Sequence, residues 1–450
     1  MIYSLVNYKL GFVNIIRIKL LFLFILTFLF QACEQPMEFK RDNFLDPKYI
    51  LKPSQLNFIK FIDNKFYLSW SKINRKDFNN YQLFESLNQD FSDKKLIYSA
   101  QNRQDTVFVV KNVYNDEFRY YQIIASVDDN VSIESEIRRA SSFPLIVYCS
   151  NKNGNMDIFI TDIDGENELQ VTNSNSDEKD PVFSPDGLNI LYIKQNNLFM
   201  MDKYGYNKIQ LTNSIEQNFQ AQFSPDGSKI VFCSSRDGNY KIYLMNVDGT
   251  QQIPLTNDAG DNTWPSFMPD GNRIAYVYDM DCGCDDIYLI DADGTNKEQL
   301  TSDCRLKSHV KVSPDGMSIL YVDSDMPALE DIISFNINTK ETVNLTNRGN
   351  TDYSPIYSPH GDEIIYQALS DTWDIWRMDA NGENKFNITN SPRHDTNPDI
   401  LYNDSLIVFS SYSPLTKKSQ IFTIDKYGNN LQQITNDDYN YFTPKFQKRN

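Results

Sequence analysis

The chain has 450 residues, enough for more than one domain with its own core. Hydrophobic residues make up 40% of it and aromatics 13%, which excludes a disordered polymer. A formal charge of -17 excludes a nucleic-acid partner, because holding phosphates takes clustered Lys and Arg.

Residues 1–32 read as a leader and not as part of the fold. Lys9, Arg17 and Lys19 precede an apolar run, Leu20–Phe30, which is too short to span a bilayer as a helix but suits the core of a signal peptide. Gln31, Ala32 and Cys33 follow, and a small residue just before a cysteine resembles a bacterial lipoprotein cleavage site, although Phe30 stands where that pattern prefers Leu. The resemblance implies an acylated Cys33 and a membrane anchor through it. Five cysteines remain beyond it, at 149, 233, 282, 284 and 304, and an exported chain can pair them. Residues 33–52 are charged and unpatterned, as in a tether.

From residue 53 the pattern changes to short alternating runs, at Lys65–Trp70, Tyr81–Ser86, Thr106–Val110 and Phe118–Val127. Period-two alternation of β-branched and aromatic residues between polar turns predicts a β-sandwich over 53–142. With Trp70, Tyr81 and the Tyr121-x-Ile123-x-Ala125 strand, this region resembles a fibronectin type III domain, a family that fills its core with such aromatics. Trp70 reads as a core residue and not as a stacking platform.

Beyond residue 144 three markers recur every 40–46 residues. The first is Ser-Pro-Asp-Gly, at Ser184–Gly187, Ser224–Gly227 and Ser313–Gly316, with variants at Met268–Gly271 and Ser358–Gly361. The second is Asp-x-Asp-Gly or a relative, from Asp162–Gly165 to Asp425–Gly428, and the third Leu-Thr-Asn or a relative, from Val171–Asn173 to Ile434–Asn436; each occurs seven times. Short apolar strands lie between them, which is the signature of β-propeller blades. Ser-Pro-Asp-Gly reads as a hairpin turn, since Pro fixes φ, Asp bonds its own backbone and Gly accepts positive φ. Five such turns around a ring are scaffolding, not five catalytic serines. Innermost strands are placed at Pro181, Ala221, Pro265, Val310, Pro355, Pro398 and Pro444. The last, Thr443–Phe446, has no strands after it, so it closes the ring beside Leu145–Ser150 and gives seven blades over 144–450.

The unit PxFSPDGxxIxFxS…IYxMDxDG…LT resembles the TolB-type, PD40 (WD40-like) propeller family, whose namesake has six blades and an α/β domain in front. The resemblance implies a rigid and usually non-enzymatic platform for proteins or other ligands.

The Ser-Pro-Asp-Gly and Asp-x-Asp-Gly turns share one face. The opposite face is irregular and carries Phe219, Trp264, His309, Tyr353, Trp373, His394, Tyr441 and Phe442 near the channel mouth. These could anchor a peptide or stack on a sugar, or simply cap the blades. Asp177, Glu178, Asp261, Asp352, Asp395, Asp437 and Asp438 accompany them, as a solvated surface or as a site for a cation. Cys282, Cys284 and Cys304 fall there too. A disulfide from Cys304 to one of the pair and a zinc site completed by His309 are both open, the first favoured by the spacing. Cys149 and Cys233 read as buried apolar residues. No nucleophile elbow, metalloprotease or phosphate-loop motif is present.

Together these features predict a non-catalytic lipoprotein of the outer membrane, facing the periplasm or the cell surface, with no cofactor and no resident metal. Its propeller would bind an envelope protein. Glycan capture at the aromatic mouth is one alternative, and a hydrolase or lyase using acidic and His residues in the channel, His309 or His394 among them, is another.

Overall fold

The computed structural model describes residues 55–448, apart from 58, 63–64, 74–75, 112, 114–117, 129–130, 281–282, 326–328 and 348. The leader, Cys33, the tether and Cys282 lie outside the described residues. Among the described residues every regular element is a strand.

The first strands form two sheets. Lys60–Ile62, Lys65–Ser69 and Val107–Lys111 make one; Lys95–Ala100, Asn80–Ser86, Phe118–Asp128, Val131–Glu134 and Arg138–Ser141 make the other. Their alternating inner side chains meet in one core of Phe66, Leu68, Trp70, Tyr81, Leu83, Tyr121 and Ile123. Trp70 packs edge-on against Tyr81 at 5.7 Å, as a core residue.

The rest of the chain forms seven four-stranded antiparallel sheets, consistent with propeller blades. Blade 1 joins residues 146–170 to the C-terminal strand Tyr441–Phe446, which pairs with Ile146–Ser150. Blades 2 to 7 follow in order at 178–210, 218–254, 261–299, 306–344, 351–387 and 394–433. Seven buried apolar clusters lie between consecutive blades, one for each neighbouring pair. One of them joins Val408 and Ile421 of blade 7 to Tyr148, Phe159, Tyr441 and Phe446 of blade 1, so the series closes on itself.

The repeated markers are explained by local bonds. In the turn at Ser224–Gly227 the Ser224 hydroxyl donates to Asp226 at 2.5 Å, while the Lys229 amide donates back to Ser224 at 2.9 Å. In Leu-Thr-Asn the apolar residue enters an inter-blade cluster and the threonine hydroxyl accepts the amide of a third-strand residue. This happens in all seven blades, from Ile158–Thr172 to Ile421–Thr435, at 2.7–3.1 Å. Thr346→Val keeps the shape but orphans the buried Ile332 amide. It is expected to cost about 1–3 kcal/mol, read as a lower urea midpoint at unchanged slope.

The sandwich is fastened to the turn-bearing face of blades 1 and 2. Arg139 pairs with Asp162 at 2.9 Å and with Asp164, both in the Asp-x-Asp-Gly turn of blade 1. Phe61 exchanges two backbone bonds with the Tyr204 hydroxyl, at 2.9 and 3.1 Å, and the Lys60 ammonium lies 4.1 Å from the Tyr206 ring centre. The irregular face is therefore left on the opposite side of the ring.

Candidate functional site

The innermost strands are Glu178–Phe183, Asn218–Phe223, Asp261–Phe267, Leu306–Val312, Thr351–Tyr357, His394–Ile400 and Tyr441–Phe446. Each carries a register shift midway, where two residues oppose one on the neighbouring strand. The residues expected to begin these strands, Pro181 and its equivalents, lie inside the strands, at the bulges. Proline is admitted there because its missing amide breaks no ladder bond.

The residue before each of them has left-handed backbone: Asp180, Gln220, Trp264, His309, Ser354, Asn397 and Thr443, with φ between 47° and 56°. For tryptophan and histidine this conformation is strained, and such strain persists where the surrounding structure dictates it. A bulge re-aims its side chain, and here it brings three blades together. The Trp264 and His309 rings lie 3.8 Å apart between centroids, and His309 and Tyr353 lie 4.1 Å apart. The Trp264 amide is fixed by Gln220 Oε1 of the preceding blade at 2.8 Å.

Within this row His309 is uncharged. Burial between the two rings, with the Lys311 ammonium two residues on, pushes its pKa down to about 3. Its Nδ1 is 2.9 Å from the Ser308 hydroxyl. Burial likewise raises the Tyr353 phenol, and the Glu330 carboxylate adds to the effect. The row can offer flat apolar area with polar edges; it holds no base poised near neutral pH.

The other predicted site residues do not join it. Tyr441 is buried in the cluster between blades 7 and 1, where its hydroxyl donates to Asp437 at 2.5 Å, so it is a core residue. Phe219 packs against Tyr240 at 4.9 Å. His394 accepts from the Trp373 amide at 3.5 Å and faces Tyr412, while Phe442 stands 37% exposed. Of the acidic set, Glu178, Asp352 and Asp395 are buried, which corrects the expectation of a solvated surface. Glu178 pairs with Lys194 at 3.1 Å and Asp395 accepts from Ser391 at 2.7 Å, so these two brace the loops. Cys284 is disulfide-bonded to Cys304, which takes two thiolates from the zinc alternative. Cys149 and Cys233 are buried and free.

Sequence reasoning missed two residues on the same face. Ile215, in the loop leaving blade 2, is 94% exposed, and Leu415, between the second and third strands of blade 7, is 95% exposed. Both sit in loops where no periodicity marks a side chain as buried or free.

Sheets in a closed series, with their first strands around a central channel, define a β-propeller. The chain belongs to the TolB beta propeller domain family (PD40), whose pattern matches residues 143–373. A 47-residue stretch is 47% identical to the Protein TolB homolog of Chlorobaculum tepidum, covering 10% of this chain and 11% of that one. The match thus spans about a tenth of that curated relative's length. The crystal structure of TolB from Acinetobacter baumannii is similar over 75% of this chain and 80% of that one, at 18% identity and a TM-score of 0.46. An oligogalacturonate lyase in complex with manganese covers 62% and 85% respectively, at 14% identity and a TM-score of 0.53, which is a likeness of fold alone.

Proposed function

We propose that this chain is a non-catalytic cell-envelope lipoprotein whose propeller is a protein-binding platform. In this reading Cys33 carries the acyl anchor to the outer membrane, a fibronectin type III-like sandwich stands between anchor and propeller, and seven blades present the irregular face to a partner. The observation that carries it is the combination on that face of the Trp264–His309–Tyr353 row with the exposed Ile215 and Leu415. Aliphatic side chains in water favour a protein surface over a sugar, which recognises flat rings. The docked sandwich covers part of the opposite face, so the irregular one is the face it leaves open. A hydrolase or lyase that used His309 as its general base would need it to titrate near the working pH, and burial holds His309 neutral down to about 3.

The test is a crosslinking pull-down from native envelopes with three proteins: wild type, Ile215→Ser/Leu415→Ser, and Trp264→Ala/Tyr353→Ala. A stoichiometric partner is expected with the wild type and lost with both double variants, while the exposed-site variant keeps the wild-type melting curve. A partner retained by both variants would move binding to another surface.

A further inference from the structure

Lys311 lies two residues beyond the bulge of the blade 5 inner strand. The equivalent positions in the other blades, read from the strand registers, are Lys445, Val182, Gln222, Ser266, Ile356 and Asp399. These seven positions share one level of the ring of inner strands, between the aromatic row and the turn-bearing face, where Val182 and Ile356 pack into inter-blade clusters. The charges that act on Lys311 at this level are Lys445, Asp399 and Lys448. They come from blades 1 and 7, neither of which adjoins blade 5, so these charges act on the Lys311 ammonium through the channel.

The other charges there are already engaged with one another. Asp399 receives the Phe446 amide on Oδ2 at 2.8 Å, and its Oδ1 lies 3.9 Å from Lys445 and 3.8 Å from Lys448. Lys445 also reaches the Pro398 carbonyl at 3.4 Å and acts on Asp180 at the bulge of blade 2. Lys311 is left over: among the described residues its ammonium has no hydrogen bond and no ion pair. His309, its neighbour on the strand, is neutral. An ammonium held half-buried without a counter-ion is costly, and here it stands in a chain that is strongly acidic overall. Two uncharged groups share its level, the Gln222 amide and the Ser266 hydroxyl. Ser266 Oγ accepts the Val312 amide at 3.3 Å, which leaves its O–H to donate.

We propose that this level of the channel is a binding site for a compact oxyanion, the carboxylate or phosphate group of a ligand. Lys311 supplies the charge, and Ser266 and Gln222 supply neutral donors. Lys445 and Lys448 offset the one carboxylate, Asp399, that would repel the anion. The ammonium is available for this at neutral pH, because burial, with Lys445 and Lys448, brings its pKa down only to about 8.

The test uses the full chain, titrated separately with inorganic phosphate and with acetate and followed by calorimetry and by the NMR signal of the Lys311 side chain. Saturating anion is expected to raise the Lys311 pKa. Lys311→Met is expected to weaken anion binding by about tenfold or more, and Lys311→Arg to restore it. Lys311→Met removes an unpaired charge and so should fold at least as stably as the wild type, which its melting curve checks. A response to phosphate alone would assign the site to a phosphate-bearing ligand, and a response to both anions to a carboxylate as well. The proposal is overturned if neither anion moves the Lys311 pKa, or if Lys311→Met binds as the wild type does.

Discussion

Removing residues 439–450 is expected to abolish the cooperative unfolding of the propeller, not merely to shorten blade 1. Tyr441 and Phe446 are each 1% exposed and belong to the only cluster that joins blade 7 to blade 1 among the described residues. Losing a buried aromatic costs about 3–5 kcal/mol, and two of them approach the whole stability of an ordinary domain. The deletion also bares the edge of Ile146–Ser150, a strand buried at every position, for pairing with other chains. The tie that locks the end in place goes with it: the Leu145 amide donates to Gln447 Oε1 at 3.1 Å, and Gln447 Nε2 donates to the Gly187 carbonyl at 2.8 Å. The truncated chain should therefore elute as aggregate in size-exclusion chromatography and lack a single melting transition. A synthetic peptide of residues 439–450 added during refolding should restore both. A truncated chain that melts like the full one would mean that the other six clusters hold the ring without its clasp.

What the sequence discloses here is what is local. Ser224, Asp226 and Lys229 bond within one turn, and Thr346 bonds Ile332 within one blade, so the markers, the strand count and the closing strand could all be read from spacing. The bulges were only half legible. By spacing alone Pro181 and its equivalents read as strand starts, whereas a proline inside a strand of this kind signals a bulge. The Trp264–His309–Tyr353 row could be narrowed to a face but not assembled, because its members come from three blades and meet only through their left-handed backbone. Tyr441 looked the same in sequence and proved to be core. The clamp of Arg139 on Asp162 and Asp164, and the isolation of Lys311, depend on which distant residues arrive beside them, and no periodicity reports that.

Replacing His309 by Gln is expected to change how stability depends on acid. In the fold the imidazole takes a proton only near pH 3, whereas in the unfolded chain it does so near its ordinary value of 6.5. Between those limits the unfolded state binds the extra proton, so the stabilisation from His309 is present above pH 6.5 and drains away as pH falls toward 3. The slope is at most about 1.4 kcal/mol per pH unit. Several buried carboxyls act in the opposite sense, Asp157 and Asp162 among them. Burial raises Asp157, beside Glu178, and Asp162, beside Asp164, above the usual carboxylate range, so the fold keeps their protons where the unfolded chain has released them. The raw pH curve mixes these effects, and the difference between wild type and variant isolates the histidine. Urea midpoints at pH 7, 5.5 and 4 should show His309→Gln less stable than the wild type at pH 7, because the stack with Trp264 and Tyr353 is lost. The difference should move by about 3 kcal/mol in favour of the variant by pH 4. A gap that stays constant would mean that the ring titrates freely, and that the two aromatics do not shut it off from the water of the channel.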